Sequence, residues 1–323
     1  MEIKAYLYDA AGNDEVVLPE DVDIRKLKQN QLLWINVLER DEETLRRVAK
    51  AVSLEGVPFR SVMKTEDRPR IENYANFFRF SISSVRLEKG KSPQIVMIDY
   101  IVGPNFLVTV HEGEIEYFEE FRKREKGETK IGKLDAESFL ATLLDLHIVS
   151  YFHAMEEIEH RVDKFDERIL KTDVDANNLL SDMVKLRRDV SDLRRWLLPH
   201  RDVFYSLTRA DFLQIAESDS VEEFKRLTDH FENAADAIER LRETVLGVFE
   251  LYATKSAQLT NTFVQRLTFL TLLTGSVAVI AGILGMNFKA DIFDAPNGFG
   301  VTVGGLLVVA IGLTAYARYK RWI

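Results

Sequence analysis

Residues 267–286 read LTFLTLLTGSVAVIAGILGM and residues 298–317 read GFGVTVGGLLVVAIGLTAYA, and neither stretch of 20 residues contains a charged side chain. A helix of that length covers roughly 30 Å, the thickness of the hydrocarbon core of a bilayer. A buried hairpin in a soluble core is the alternative, but two such stretches so close together in a highly charged chain argue against it. The sequence therefore predicts two transmembrane helices.

The charges around these stretches predict their orientation. The connector between them holds Lys289 against Asp291 and Asp294. Basic residues flank the pair on its other side: Arg266, Arg318, Lys320 and Arg321. The positive-inside rule then places both ends in the cytoplasm and the connector outside. We expect a plasma (inner) membrane protein with cytoplasmic termini, and the first residues show no pattern of a cleavable signal peptide.

Composition narrows the function of the remainder. The 323-residue chain has a formal net charge of −9, and because residues 267–323 carry +2, the first 266 residues carry −11. Such an acidic body argues against nucleic acid as a partner, because phosphates bind basic surfaces. The absence of Cys excludes disulfides and thiolate sites. The sequence has no phosphate-binding glycine loop or nucleophile elbow, so we expect neither an enzyme nor a cofactor.

Residues 1–132 form the first of three predicted regions, a cytosolic α/β domain. Segments rich in β-branched and aromatic residues predict strands at 3–8, 31–37, 77–87 and 95–110. Residues 36–51 and 53–63 have the pattern of helices.

Residues 133–266 form the second region, predicted as long helices and a stalk. Between residues 133 and 246 there is no Gly, and Pro199 is the only Pro, which favours helices with breaks near Pro199 and residues 172–178. The last helix is expected to run from Val221 to Met286, over roughly 100 Å. Its apolar residues form an a/d seam of a coiled coil: Phe224, Leu227, Phe231, Ala234, Ile238, Leu241, Val245, Val248 and Tyr252.

Residues 267–323 form the third region, a transmembrane pair with an outer loop at 287–297. Small residues allow close helix contact and hydroxyls can line a wet path, so a stripe on the first span indicates packing or a pore wall. A pore needs several copies in a ring, which the a/d seam could hold together unless it packs within one chain. The stripe consists of Asn261, Val264, Thr268, Thr271, Gly275, Ala278, Gly282 and Gly285.

Gly285-Met286-Asn287, at the outer end of the first of two spans, resembles the signature of the CorA magnesium-transporter family. Ile280-Ala281-Gly282-Ile283, Arg68-Pro69-Arg70-Ile71-Glu72 and the segment 105–111 also resemble the pattern of that family, and the resemblance covers essentially the whole chain. It implies an α+β membrane protein with a cytosolic α/β/α domain, long stalk helices and two C-terminal transmembrane helices. It also implies a homopentamer around a central pore, with Asn287 contacting the hydrated ion at the outer mouth.

The chemistry of the motif agrees with that resemblance. Mg²⁺ gives up its water reluctantly, so a ring of amide oxygens from Asn287 suits a hydrated ion, and the carbonyls of Gly285 and Met286 could add to it. In the outer loop, Asp291 and Asp294 would concentrate cations, whereas Lys289 beside the mouth would repel them.

The expected function is therefore a divalent cation channel for Mg²⁺, with Co²⁺ and Ni²⁺ as further cargo. A zinc transporter of the same superfamily is one alternative, and a non-conducting, membrane-anchored coiled-coil scaffold is another. Val264 and Leu267 can form a hydrophobic constriction in the pore, whereas Gly275 cannot, which predicts a shorter gate than the family commonly has.

Two further patterns concern metals. His153, Glu157 and His160 share a helix face at a spacing that could bind a transition metal, although an exposed polar stripe is the alternative. In the family, aspartates between subunits bind cytosolic Mg²⁺ and hold the pore shut, but one such position here is Arg226, so no regulatory residue is transferred. The other histidines, His111, His147, His200 and His230, are isolated in the sequence and are interpreted as structural.

Overall fold

The computed structural model describes residues 3–9, 14–28, 30–54, 68–74, 76–88, 91–125, 136–171, 176–216, 218, 220–286 and 296–320. The chain divides into two compact units. The first contains Met1–Arg168 and Asp173–Val248, and the second contains Ile169–Thr172 and Phe249–Ile323.

The first unit contains a mixed sheet of seven strands in the order β2-β1-β3-β7-β6-β5-β4. Strands β3 and β7 pair in parallel, with Ile35 opposite Val108, and the other neighbours are antiparallel. The strands are β1 Ile3–Asp9, β2 Glu15–Val17, β3 Gln31–Val37, β4 Arg70–Asn73, β5 Phe78–Arg86, β6 Gln94–Gly103 and β7 Phe106–His111.

Two elements differ from the sequence predictions. The predicted strand at 95–110 is a hairpin, because Pro104 and Asn105 form the turn between β6 and β7 and Pro cannot donate to the ladder. The predicted helix at 36–51 begins later, since Asn36 pairs with Lys4 in the sheet and helix α1 runs over Glu42–Ala51. Asp41 ends the extended segment by accepting the Thr44 N–H at 2.9 Å, a helix cap. Most of the helix predicted at 53–63 lies outside the described residues.

Alternate residues of the central strands face two different helical layers. Leu33, Ile35 and Val37 belong to a buried cluster with Leu45 and Val48 of α1. On the other face, Trp34 packs edge-on against two aromatic rings, with ring centroids 5.4 Å from Phe118 and 5.6 Å from Phe139. These rings come from helices α2, Glu116–Glu125, and α3, Ala136–Leu170. The period of two in the strands thus produces an α/β/α sandwich.

The remaining helices of the first unit follow the predicted break. Helix α4, Ala176–Leu197, ends in a 3₁₀ turn at Leu198–His200 that contains Pro199. Short helices α5, Arg201–Leu207, and α6, Leu213–Ala216, precede helix α7, Val221–Leu284. Asp189 of α4 accepts a hydrogen bond from Arg161 of α3 at 2.6 Å, which ties these two long helices together.

The a/d seam is buried inside the chain itself from Phe224 to Val248. Phe231 stacks on Phe204 with ring centroids 4.8 Å apart, and Ser138 of α3 is hydrogen-bonded to Ser220 at 2.7 Å. The seam therefore packs within one chain over this length, as in the helix-bundle alternative. Only Tyr252, at the end of the seam, is half-buried and lies in the second unit.

The second unit contains the last part of α7 and helix α8, Gly298–Tyr319. Both helices are long and apolar enough to cross a membrane, with mean hydropathies of 2.2 and 2.0 over their most apolar windows. Only 0% and 6% of those windows are buried. They are therefore not core helices of a soluble protein, and they match the two predicted spans.

Candidate functional site

The two apolar helices cover one another along one face each. On α7 half-buried positions recur in steps of three and four, with Val277 beside Ser276 as one addition: Thr262, Gln265, Phe269, Leu273, Ser276, Ile280 and Leu284. On α8 the less exposed positions do the same: Gly298, Thr302, Leu306, Ala310, Leu313 and Ala317. Such spacing selects a single side of a helix. Each helix thus presents one side to its partner within the unit.

The stripe predicted from the sequence lies on the opposite side of α7. At 100° per residue, Thr271, Gly275 and Gly282 lie nearly half a turn from Phe269, Leu273 and Ile280. Every member of the stripe from Asn261 to Gly285 is exposed in the single chain. The structure therefore leaves this side of α7 open to other copies or to a water-filled path.

The two bulky apolar residues of the expected constriction share this exposure. Val264 is 54% exposed and Leu267 is 64% exposed. A helix side that carries both apolar side chains and hydroxyls can form a narrow apolar ring and a wetter segment in sequence along a path.

The threonine hydroxyls have a defined orientation. Thr268 donates to the carbonyl of Val264 at 2.8 Å, and Thr271 donates to the carbonyl of Leu267 at 2.9 Å. Each hydroxyl thereby donates its only hydrogen to the helix backbone, and the lone pairs of its oxygen remain able to accept hydrogen bonds. Such oxygens accept hydrogen bonds from water, which suits the outer water shell of a hydrated cation.

Two glycines of the stripe, Gly275 and Gly282, have no steric cause within their own chain. A Cβ added at Gly275 or Gly282 would meet nothing within 4 Å. Close approach to a neighbouring helix is a common reason for glycine in a membrane helix. The part of the chain that the structure describes contains no such neighbour on this side.

The Gly-Met end of the motif lies at the C-terminus of α7. Gly285 donates its N–H to the carbonyl of Ala281 at 2.9 Å, and Met286 donates to Ile283 at 3.2 Å, so the last turn tightens. Met286 is 55% exposed. The C-terminal end of a helix carries a partial negative charge, which favours a cation. The predicted mouth residue Asn287, and Asp291 and Asp294 of the loop, lie outside the described residues.

The histidine and carboxylate pattern on α3 gains no support. His153 and His160 are exposed and Glu157 is half-buried. Among the residues that the structure describes, no group of three His, Cys, Asp or Glu side chains could hold a metal ion. The arrangement corresponds to the exposed polar stripe.

Two of the histidines interpreted as isolated lie together. His147 and His200 are both buried, with ring centroids 5.0 Å apart. Nδ1 of His230 donates to the carboxylate of Asp145 at 2.7 Å, and the ring of His230 stacks on Phe152. His147 and His200 are far apart in the sequence, which therefore contains no local signal of the contact between them.

A buried ion network in the sheet was also missed. Asp99 of β6 pairs with Arg40 and with Arg79, the latter at 2.9 Å, and Arg79 reaches Glu72 at 3.2 Å. The side chains of Arg40, Arg79 and Asp99 are at most 4% exposed. The register of β4, β5 and β6 brings Glu72, Arg79 and Asp99 together, and Arg40 reaches them from the segment after β3.

Comparison with known proteins places this architecture among cation transporters. The sequence profile of the family described as CorA-like Mg²⁺ transporter proteins matches residues 29–319. The chain is 24% identical over 294 residues to the cobalt/magnesium transport protein CorA of Thermotoga maritima, covering 90% of this chain and 83% of that protein. It is also 24% identical to the putative metal ion transporter YfjQ of Bacillus subtilis, covering 79% and 78% of the two chains.

Solved structures share the fold over the same length. The complete CorA magnesium transporter of Methanocaldococcus jannaschii superposes with a TM-score of 0.78 at 18% identity, covering 100% of both chains. The full-length CmaX protein gives 0.71 at 19% identity, covering 98% and 97%. The cytoplasmic domain of ZntB from Vibrio parahaemolyticus gives 0.62 at 11% identity, covering 80% of this chain and 100% of that domain.

Proposed function

This chain belongs to the family of CorA-like Mg²⁺ transporters, and we propose that it conducts Mg²⁺ through a ring of identical copies lined by the exposed stripe of α7. Transport of divalent cations follows from the family itself. The choice of Mg²⁺ is supported by the Gly285-Met286-Asn287 motif and, together with Co²⁺, by the name of the Thermotoga relative. Ni²⁺ is proposed as further cargo on the resemblance alone.

One observation supports the proposed pore. The stripe of small and hydroxyl-bearing residues lies away from the half-buried side of α7, on its exposed side. Because one chain with two membrane helices cannot enclose a path, that side must meet other copies. We take the assembly to be a homopentamer in the lipid bilayer, as the resemblance to CorA implies. Helix α7 then lines the axis and α8 faces lipid.

The proposed path passes a hydrated ion from a polar mouth to an apolar constriction. Asn287 of each copy supplies a neutral amide oxygen, with the carbonyls of Gly285 and Met286 beside it, so the ion can keep its water. The hydroxyl oxygens of Thr268 and Thr271 accept hydrogen bonds from that water further along. Val264 and Leu267, with Asn261 beyond them, form the cytoplasmic constriction, while Ala278 and Gly282 leave the segment between wide.

The proposed location is the inner membrane, with both termini in the cytoplasm. Arg266 and Arg318 are the basic flanks that support this orientation. The membrane potential then drives cations inward without a cofactor or a chemical step.

Flux into liposomes tests the proposal. The purified protein should pass Mg²⁺ with saturation, and Asn287→Ala should reduce that flux by about tenfold or more, because the mouth loses its ring of amides. Asn297→Ala, in the same stretch but outside the motif, is the matched control and should conduct like the parent protein. Competition by Zn²⁺, Co²⁺ and Ni²⁺ ranks the cargo. A chain that folds and inserts but passes no divalent ion would instead be the scaffold.

A further inference from the structure

A basic cavity in the first unit is unrelated to the stripe of α7. It has a volume of about 760 Å³, which lies in the range of pockets that hold small molecules. Among the residues that the structure describes, four arginines and one carboxylate line it: Arg40, Arg68, Arg86, Arg195 and Glu112. In a unit whose sequence is strongly acidic overall, such a concentration of arginine is unexpected.

Arg86 is fixed in this cavity by a turn. Its Nη2 donates to the carbonyl of Glu114 at 2.8 Å. Gly113, which directly precedes Glu114, has φ +73°. A Cβ added to Gly113 would stand 2.9 Å from Nη2 of Arg86. The positive φ favours glycine in this turn, and the missing Cβ leaves room for the guanidinium. Arg86 is held in place before any ligand arrives, which lowers the entropy cost of binding.

Two of the arginines have no carboxylate partner in the part of the chain that the structure describes. Arg68 is exposed and Arg86 is half-buried, and neither lies within ion-pair distance of an Asp or Glu described there. The other two do have such partners: Arg40, which is buried, pairs with Asp99, and Arg195, which is exposed, pairs with Asp192 at 2.7 Å. The two guanidinium groups left over point to an anion with more than one negative charge.

The positive charges of two of these arginines lower the pKa of His111. Burial is the main cause that lowers the pKa of His111 to about 4, and the positive charges of Arg40 and Arg86 lower it further. The positive potential near Arg40 and Arg86 therefore disfavours the protonated, cationic form of His111.

The lining of the cavity also includes apolar side chains. Among them are Trp196, which is half-buried, Met97 and Pro199. An aromatic side chain and arginines in one cavity suit a ligand with a ring or hydrocarbon part at one end and phosphate at the other, because Arg binds phosphate oxygens in pairs. An inorganic ion alone would leave most of the volume and the apolar lining without a contact.

We propose that this cavity binds an organic phosphate, with Arg68 and Arg86 holding the phosphate and Trp196 packing against its ring. The site lies wholly within the first unit and does not depend on the transport proposed for α7. A nucleotide is the common compound of this class, and it is the probe for the test.

The full-length protein in detergent, in metal-free buffer, is titrated with ATP and separately with inorganic triphosphate. Trp196 is one of three Trp in the chain, so ATP should change the indole fluorescence saturably. Arg86→Gln and Arg68→Gln should each weaken the binding of both probes by about tenfold, the effect of removing one charge-assisted contact. Trp196→Leu removes the fluorescent reporter, so its affinities are measured by titration calorimetry; it should weaken ATP binding and leave triphosphate binding unchanged.

Arg188→Gln is the matched control, because Arg188 is an exposed arginine of α4 that does not line the cavity. It removes the same charge and should leave both affinities intact. An equal loss in Arg188→Gln would show general attraction to a basic surface and would overturn the proposal. Equal affinity for ATP and triphosphate, or no saturable binding of either, would overturn it as well. Arg68→Gln keeps the test valid if Arg86→Gln does not fold, because the Arg68 side chain is exposed.

Discussion

Ser83 of strand β5 donates its backbone N–H to Nε2 of His200 at 3.0 Å, which joins the sheet to the end of helix α4. Nδ1 of the same ring donates to the carbonyl of Leu197 at 2.8 Å. One nitrogen accepts and the other donates, so the buried ring is in its neutral form. The contact holds the helix break at Pro199 against strand β5, the neighbour of edge strand β4.

This geometry predicts a loss of stability in mild acid. Burial lowers the pKa of His200 to about 4, from about 6.5 in an unfolded chain, and burial also lowers the pKa of His111 to about 4. The folded state then binds fewer protons than the unfolded state between those values. Each ring contributes roughly 3 kcal/mol of stability that is fully present above pH 6.5 and is lost as the pH falls towards 4.

Melting curves at pH 7.0, 5.5 and 4.5 check the prediction. The melting temperature of the parent protein should fall by several degrees over that range. His200→Gln should melt lower at pH 7.0 but lose less on acidification, because it carries no group to protonate. If parent and variant lose the same number of degrees, protonation of His200 is not part of the acid response.

The Asp99 network predicts a large loss of folding stability when one carboxylate oxygen of Asp99 is replaced by an amide nitrogen. Asp99→Asn keeps the size of the side chain but leaves Arg40 and Arg79 without the carboxylate between them. Breaking a buried pair in this way costs about 3–5 kcal/mol. Urea unfolding measures the difference. Asp192→Asn is the matched control, since its partner Arg195 is 71% exposed and an exposed pair contributes about 1 kcal/mol or less. Similar losses in both variants would contradict this account.

The α+β architecture and the CorA resemblance are both confirmed, and local patterns explain why they could be predicted. The 20-residue apolar stretches, the gap in Gly and Pro, and the seam of α7 are periodic signals within one element. Val221 was predicted as the start of a helix ending at Met286, and the helix ends at Leu284. Strong periodicity over a long segment leaves little choice of structure.

The features that could not be predicted from the sequence depend on contacts between segments that are distant in it. Asp99, Arg79 and Arg40 meet because of strand order and register, for which a single sequence gives no local signal. The basic cavity likewise draws its arginines from four segments, at residues 40, 68, 86 and 195. The seam was ambiguous for a related reason, because the same apolar period serves packing within a chain and between chains.

The exposed stripe of α7 predicts a specific effect at Gly275. A Cβ added there would meet nothing within 4 Å in its own chain, so we expect the fold to tolerate leucine. In the proposed ring, five leucines at one level would extend the hydrophobic gate, and Mg²⁺ flux into liposomes should fall by about tenfold or more. Gly312→Leu on α8 is equally free of contacts and should conduct normally. Parent-like flux through Gly275→Leu would remove this position from the gate.

The outer loop predicts an effect of charge that salt should abolish. Asp291 and Asp294 would raise the local cation concentration at the mouth, and Lys289 would lower it. Neutralising both aspartates to asparagine should therefore raise the half-saturating Mg²⁺ concentration several-fold at low ionic strength, without changing the maximal flux. Lys289→Gln should shift it in the opposite direction. Both shifts should shrink at about 0.5 M monovalent salt, where the screening length is only a few ångströms. A shift of the same sign in the two variants would mean that the loop acts through its conformation, since opposite charges can only act oppositely through their field.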